Sequence, residues 1–253
     1  MRFAAFLVCA LSLGLTAPVA AQTYVYEEVV EEWVETGASR FVSPQLAQTE
    51  QAAVAAYGPF RVLDDGRAAL VGVTNGRSPA QFAAMLAAYP AIDTIEFIEC
   101  PGTHDDRANL QLGRMIRAHG LATVVPEGGS VRSGAVELFL AGTNIQIADG
   151  AEFAVHAWMD DRGLSADDYA ADSPEHAKYL AYYAEMGMES AAAARFYAMT
   201  NSVPFEQARW LSGTQMRGWM GVPETGAETG PEPVAEIQQL PRLAYLDLGA
   251  ALN

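Results

Sequence analysis

The sequence predicts an α/β fold, and three observations carry that expectation. Short apolar runs at Thr94 to Ile98 and Ala122 to Val125 read as buried strands, whereas Ser78 to Ala88 and Arg107 to His119 have helical periodicity. Strand, helix, strand in succession implies βαβ units and parallel pairing. Upstream, Phe60 to Leu63 and Ala68 to Val73 flank Asp64, Asp65 and Gly66, an Asp-Gly hairpin signal between two apolar runs. The chain is also long enough for one sizeable core: residues 22–253, 232 residues, follow a leader-like start.

That start, Met1 to Ala21, has a lone Arg2, an apolar run from Phe3 to Leu15 and a small-residue ending at Val19 to Ala21. It is expected to be a secretory signal cut before Gln22, placing the mature chain in the periplasm or outside the cell. No other segment approaches the roughly 20 apolar residues a membrane span requires. Residues 22–57 form an acidic N-terminal segment, in which Ser43 and Pro44 start a helix predicted to reach Ala56. Beyond the central units, a helix is expected over Gly134 to Leu140 and strands near Ile145 and Phe153. Further helices are expected over Pro174 to Met188, Ser190 to Met199 and Pro204 to Leu211. Glu224 to Glu236, rich in Pro, Gly, Thr and Glu, reads as a linker before an apolar tail from Ile237 to Leu252. The main domain is therefore expected at 58–222, with linker and tail at 223–253.

Composition excludes several functions. The formal charge is -16 and Lys178 is the only lysine, which argues against nucleic acid or anionic lipid as a partner. After cleavage Cys100 alone remains, so the domain holds together by burial without an internal disulfide. No paired-Cys or H-x-x-x-H spacing accompanies His104, Asp105, Asp106 and His119, so no metal site is expected.

Two residues carry the chemistry. Ser133 stands at the mouth of the short apolar helix and His156 closes the strand Phe153 to Val155. Hydroxyl and imidazole brought together in this way give a nucleophile and its base. The Gly134 N–H beside the serine is suited to an oxyanion. Ordinary structural roles compete: Ser133 as a helix N-cap, His156 as a strand-end histidine bonded to backbone. Glu137, one helical turn after Ser133, interrupts an apolar run. It either faces water or a partner chain, or is buried with a raised pKa and able to orient the histidine.

Glu99 to Thr103, Ser133-Gly134 with Leu140 to Gly142, and Val155-His156, in this order and spacing, resemble the Clp-protease/crotonase superfamily, closest to the Clp proteolytic subunit and its secreted relatives. The similarity runs from about Phe60 to Val222 and includes Trp210 to Gly213 and Trp219 to Val222, which resemble the family's closing helix and exit strand. The resemblance implies a β-spiral of stacked βαβ units with outer helices, and assembly as a trimer or ring. It also implies Ser133 as nucleophile, His156 as general base, and an oxyanion N–H from the Gly102-Thr103 turn, where the family usually carries two glycines. Thr103 is a departure that restricts the backbone. A second departure is Ala208, which stands where the family has its triad aspartate. Losing that group costs about 10^4 in turnover in a Ser-His-Asp enzyme. Glu137, Asp160, Asp161 and Glu206 are the substitutes.

Other branches of the superfamily offer alternatives. A Ser-Lys dyad would use Lys178. A crotonase would bind coenzyme A thioesters, for which this acidic chain offers few cations. Cys100 reads as a small buried residue, and His176 as an exposed residue of a helix N-terminus. Trp158, Trp210 and Trp219 with Tyr179, Tyr182 and Tyr183 read as core or subunit contacts. The sequence thus points to an exported serine hydrolase of peptides or esters, needing no cofactor. The alternative is a non-catalytic binding or assembly protein on the same scaffold.

Overall fold

The computed structural model describes residues 44–222. The expected leader, residues 22–43, the linker and the apolar tail lie outside the described residues. Helix α1 (Pro44–Ala52) leads into β1 (Ala55–Tyr57), β2 (Phe60–Val62) and β3 (Arg67–Leu70), an antiparallel meander. The first helix therefore stops at Ala52, short of the expected Ala56. Pairing of Tyr57 with Phe60 across a two-residue Gly58-Pro59 loop overrides the helix propensity of the alanines. The Asp-Gly turn forms as expected: Asp64 Oδ1 accepts from the Gly66 and Arg67 amides at 3.0 and 2.9 Å.

From β3 onward the chain winds regularly. Strands β4 (Thr94–Phe97), β6 (Ala122–Val125) and β8 (Asn144–Ile147) add in parallel to β3, giving a six-stranded sheet in the order β1-β2-β3-β4-β6-β8. Helices α2 (Ser78–Ala88), α3 (Asp106–Ala118) and α4 (Ala135–Leu140) make the crossovers. Soon after each of the last three strands the chain lays down a short one in a second sheet: β5 (Glu99–Cys100), β7 (Ser130–Arg132) and β9 (Glu152–Val155), all parallel. Each circuit thus contributes to both sheets, and successive circuits stack. This is the α/β arrangement of stacked βαβ units read from the sequence. The crossover helices show why: in α3, Leu110, Leu112 and Ile116 are buried while Arg107, Gln111 and Arg114 are exposed. Asp105 caps its first turn by accepting from the Ala108 amide at 2.9 Å. Phe97, Phe139 and Phe153 pack edge-on and tilted through the core, with ring centroids 5.7 and 5.2 Å apart.

The late region departs from expectation. Helices α5 (Pro174–Glu185) and α6 (Ser190–Thr200) form, but the helix expected over Pro204 to Leu211 does not. Its C-terminal part is β10 (Arg209–Ser212), antiparallel to β9 at the edge of the second sheet. Only Leu211 of this strand is buried, so no helical apolar stripe exists there. Helix α7 (Gly213–Met220) begins one residue later, with Ser212 and Gln215 forming a reciprocal capping box. Trp210 to Gly213 is accordingly strand and helix start, and Trp219 to Val222 is the end of α7 rather than an exit strand. Buried Arg217 fixes α7 against β8, donating to the Ile147 carbonyl at 2.7 Å and pairing with Asp149. Among the described residues no helix is long and apolar enough to cross a membrane.

Candidate active site

Ser133 sits at a strand-to-helix turn. Strand β7 ends at Arg132, α4 begins at Ala135, and Ser133 between them has φ 49°, the only non-glycine residue with positive φ among the described residues. A side chain in this left-handed region costs about 1–2 kcal/mol. The turn is held from several sides. The Ser133 amide donates to the Ala154 carbonyl of β9 at 2.8 Å, and Arg132 beside it pairs with Glu99 of β5 and donates to Ser130 Oγ at 2.8 Å. A strained strand-to-helix turn is how a nucleophilic serine is presented clear of its own backbone.

The neighbouring loop is built to meet that turn. Gly102 has φ +135°, and a Cβ there would lie 3.0 Å from Ser133 Cβ, so both conformation and space require glycine. Thr103 turns its hydroxyl into its own loop, between the Thr74 and Asp105 carbonyls at 3.3 and 3.2 Å. Its methyl instead packs toward Gly134, where a Cβ would come within 2.5 Å. The two positions thus compensate: a side chain at 103 is accommodated because 134 has none. Asn109, buried on the apolar face of α3, ties the turns together by donating to the Gly134 carbonyl at 2.6 Å and accepting from Thr74 Oγ1 at 2.9 Å.

His156 arrives from the adjacent strand. The β7–β9 register pairs Arg132 with Ala154, so Ser133 and His156 each follow their strand, one residue out of step. Paired strands about 4.8 Å apart with about 3.3 Å rise place their Cα atoms on the order of 6 Å from each other. Both line a cleft of about 560 Å³. His156 Nδ1 lies 2.8 Å from the Ala157 carbonyl, which can only accept. The proton of the neutral ring is therefore on Nδ1, and Nε2 carries the lone pair a base requires. Phe205 packs edge-on against the imidazole at 4.8 Å.

The acidic candidates are distributed differently. Asp160 accepts from Tyr169 Oη at 2.5 Å, from the Arg162 guanidinium and from the Arg162 and Leu164 amides, and these bonds hold its carboxyl well below the usual range. Asp161 and Glu206 are exposed. Glu137 is buried, and its Oε1 accepts from Tyr183 Oη at 2.9 Å. Burial pushes its pKa up to about 7, against the lowering effect of the Tyr183 bond. Ala208 is instructive: β10 pairs Arg209 with Val155, so the register continued one residue sets Ala208 directly across from His156.

Other expectations find definite places. Lys178 lines the same cleft, its Nζ 2.5 Å from Glu175 Oε2 and over the rings of Trp158 and Tyr179 at 5.3 and 5.2 Å. His176 is not exposed as expected; it is half-buried in that aromatic cluster, with Nδ1 2.7 Å from Tyr197 Oη. Cys100 is fully buried, burial pushing its thiol pKa well up. Trp210 is exposed at the sheet edge rather than in the core. Asn109, Thr74 and Phe205 were missed. Only Asn109 left a signal, as a polar residue on the apolar face of an amphipathic helix.

No protein-family model matches the chain, and no curated protein is similar to it in sequence. Among solved structures it is similar in fold to a variant of the 1510-N membrane-bound stomatin-specific protease, at 16% identity and TM-score 0.42, over 62% of this chain and 75% of that one. Another variant of that protease, in complex with a substrate peptide, matches at 18% identity and TM-score 0.41, over 61% and 73%. ClpP1 from Listeria monocytogenes matches at 15% identity and TM-score 0.44, over 62% and 88%. With values this low, the chemistry of the cleft is read from its own residues.

Proposed function

We propose that this chain is a serine hydrolase that cleaves peptide or ester bonds. The observation that carries the reading is Ser133 on left-handed backbone at a strand-to-helix turn, beside a histidine from the adjacent paired strand. Strain of this kind persists only where the surroundings impose it, and it clusters at active sites. Ser133 Oγ attacks the substrate carbonyl while His156 Nε2 takes its proton. The tetrahedral oxyanion is met by the N–H of Gly134 and that of Thr103 or Gly102. His156 then returns the proton to the leaving group, and water releases the acyl group by the same steps in reverse order. The Ala157 carbonyl holds the ring's tautomer, and it supports the transient imidazolium less than a carboxylate does.

Export to the periplasm or outside the cell, by the leader expected at residues 1–21, and assembly as a trimer or ring belong to the same proposal. A fluorophosphonate probe tests it. Mature protein should be labelled, and Ser133→Ala and His156→Ala should each abolish labelling. Ala208 opposite His156 favours a second reading, a binding or assembly protein that keeps the scaffold without turnover. Unlabelled wild-type protein would select that reading.

A further inference from the structure

The cleft holds a buried acid that the proposed reaction does not use. Glu137 lies four residues after Ser133, in the first turn of the short helix α4, and both residues line the cleft. Its side chain lines the cleft yet is ion-paired with no arginine, lysine or histidine among the described residues. Around it stand Tyr179, Tyr182 and Tyr183 of α5, and Asp106 of α3, which accepts from Tyr179 Oη at 2.6 Å. Burial is the main cause of its raised pKa and Asp106 adds to it, so a cation brought beside Glu137 favours the charged carboxylate.

A second observation points the same way. The wall beside the acid is aromatic: Trp158 and Tyr179 stack with centroids 6.0 Å apart, and Tyr179 stacks on Tyr197 at 6.0 Å. The chain's only lysine already places its ammonium over two of these rings, so the wall accepts a cation in the free protein. Lys178 Nζ is bonded to Glu175, which leaves the Glu137 carboxylate for another occupant.

We propose that Glu137 and this aromatic wall form the subsite that selects a lysine or arginine side chain on the N-terminal side of the scissile bond. The reach is right. A substrate carbonyl at Ser133 Oγ puts the adjoining side chain beside α4, and the stem of lysine or arginine spans roughly 6 Å from its Cα, as its bond lengths require. Norleucine fills the same volume without the charge and leaves the acid unpaired, so it is rejected by loss of charge pairing rather than by size.

This inference rests on the serine hydrolase reading, and the experiment separates the two. Wild-type mature protein is treated with a fluorophosphonate in the presence of benzamidine or of uncharged benzamide, and the binding of each is measured by calorimetry. Benzamidine is expected to bind at least tenfold more tightly than benzamide and to protect Ser133 from labelling, while benzamide does not. In fluorogenic peptides, arginine or lysine before the cleaved bond should raise kcat/KM about 100-fold over norleucine, and Glu137→Gln should reduce that preference below tenfold. Labelling without any preference for the cationic compounds would overturn the inference and leave the hydrolase reading intact. A preference that survives Glu137→Gln would overturn the role of Glu137. Absence of labelling would remove the hydrolase reading, and equal binding of the two compounds would then remove the cation pocket as well. Should Glu137→Gln fail to fold, the comparison on wild-type protein still decides.

Discussion

Replacing Ala208 by aspartate should raise activity, because position 208 lies across from His156 when the β9–β10 register is continued by one residue. Directly opposed residues of an antiparallel pair have Cβ atoms about 4.5–5.5 Å apart and point to the same side. A carboxylate at 208 therefore comes within roughly 4 Å of the imidazole. At that distance the attraction between unit charges is about 4 kcal/mol at an effective dielectric of 20, and the exposure of position 208 reduces it. A net 1.5–3 kcal/mol of support for the imidazolium in the transition state corresponds to about 10–100-fold in kcat. The ceiling is the roughly 10^4 that a triad aspartate contributes when it also sets the tautomer. Here the Ala157 carbonyl already does that part, so the smaller range is expected. The assay is kcat on an activated ester from pH 5 to 9, with Ala208→Asn as the uncharged control and a thermal melt to confirm folding. The acidic limb of the profile should move to higher pH by about one to two pH units, since a carboxylate favours the protonated ring. An unchanged kcat in Ala208→Asp, or an equal gain in Ala208→Asn, would refute the reasoning.

Four further outcomes follow from the geometry. Glu137 has a folded pKa of about 7, raised by burial above its unfolded value near 4.3, so the native state binds the extra proton. Its contribution is absent below about pH 4 and destabilises increasingly as pH rises through 7, by about 3–4 kcal/mol in total, then levels off. Glu137→Gln should flatten that decline, read as Tm against pH. Ser133→Gly should abolish probe labelling yet stabilise the fold by about 1 kcal/mol in urea titrations, whereas Ser133→Ala keeps the strain and gains nothing comparable. Asn109→Ala removes the donor to the Gly134 carbonyl and leaves the Thr74 hydroxyl only its 3.4 Å contact with the Gly102 carbonyl, and should cost about 1–3 kcal/mol with a fall in labelling rate. Arg217→Met removes the buried bond from α7 to the Ile147 carbonyl of β8 and the partly exposed pair with Asp149, and calorimetry should show a loss of about 2 kcal/mol.

The α/β class and the central strands were legible because their signals are local. Ser78 to Ala88 and Ala122 to Val125 form with the limits expected, since a proline at the helix start and a β-branched run specify them within a few residues. The strand at Arg209–Ser212 was not legible. It exists through pairing with β9, some 50 residues away in sequence, and its single buried Leu211 leaves no period to read. The short strand Ser130–Arg132, which gives Ser133 its turn, was hidden for the same reason. Ser133 and His156 stood out by residue type and position, but the strain at Ser133 is a backbone property with no compositional mark. Glu137 was visible as an acid in an apolar run. Its burial against Tyr183 depends on α5 folding over α4, which no spacing reveals.

A crystal structure of the phosphonylated protein tests the central claim most directly. The account predicts phosphorus bonded to Ser133 Oγ, the phosphoryl oxygen about 3 Å from the Gly134 amide nitrogen, and His156 Nε2 facing the adduct within about 3–4 Å, as oxyanion and general-base contacts require. An unmodified Ser133, or an adduct whose oxygen points away from Gly134 with the imidazole turned into another cavity, would contradict it.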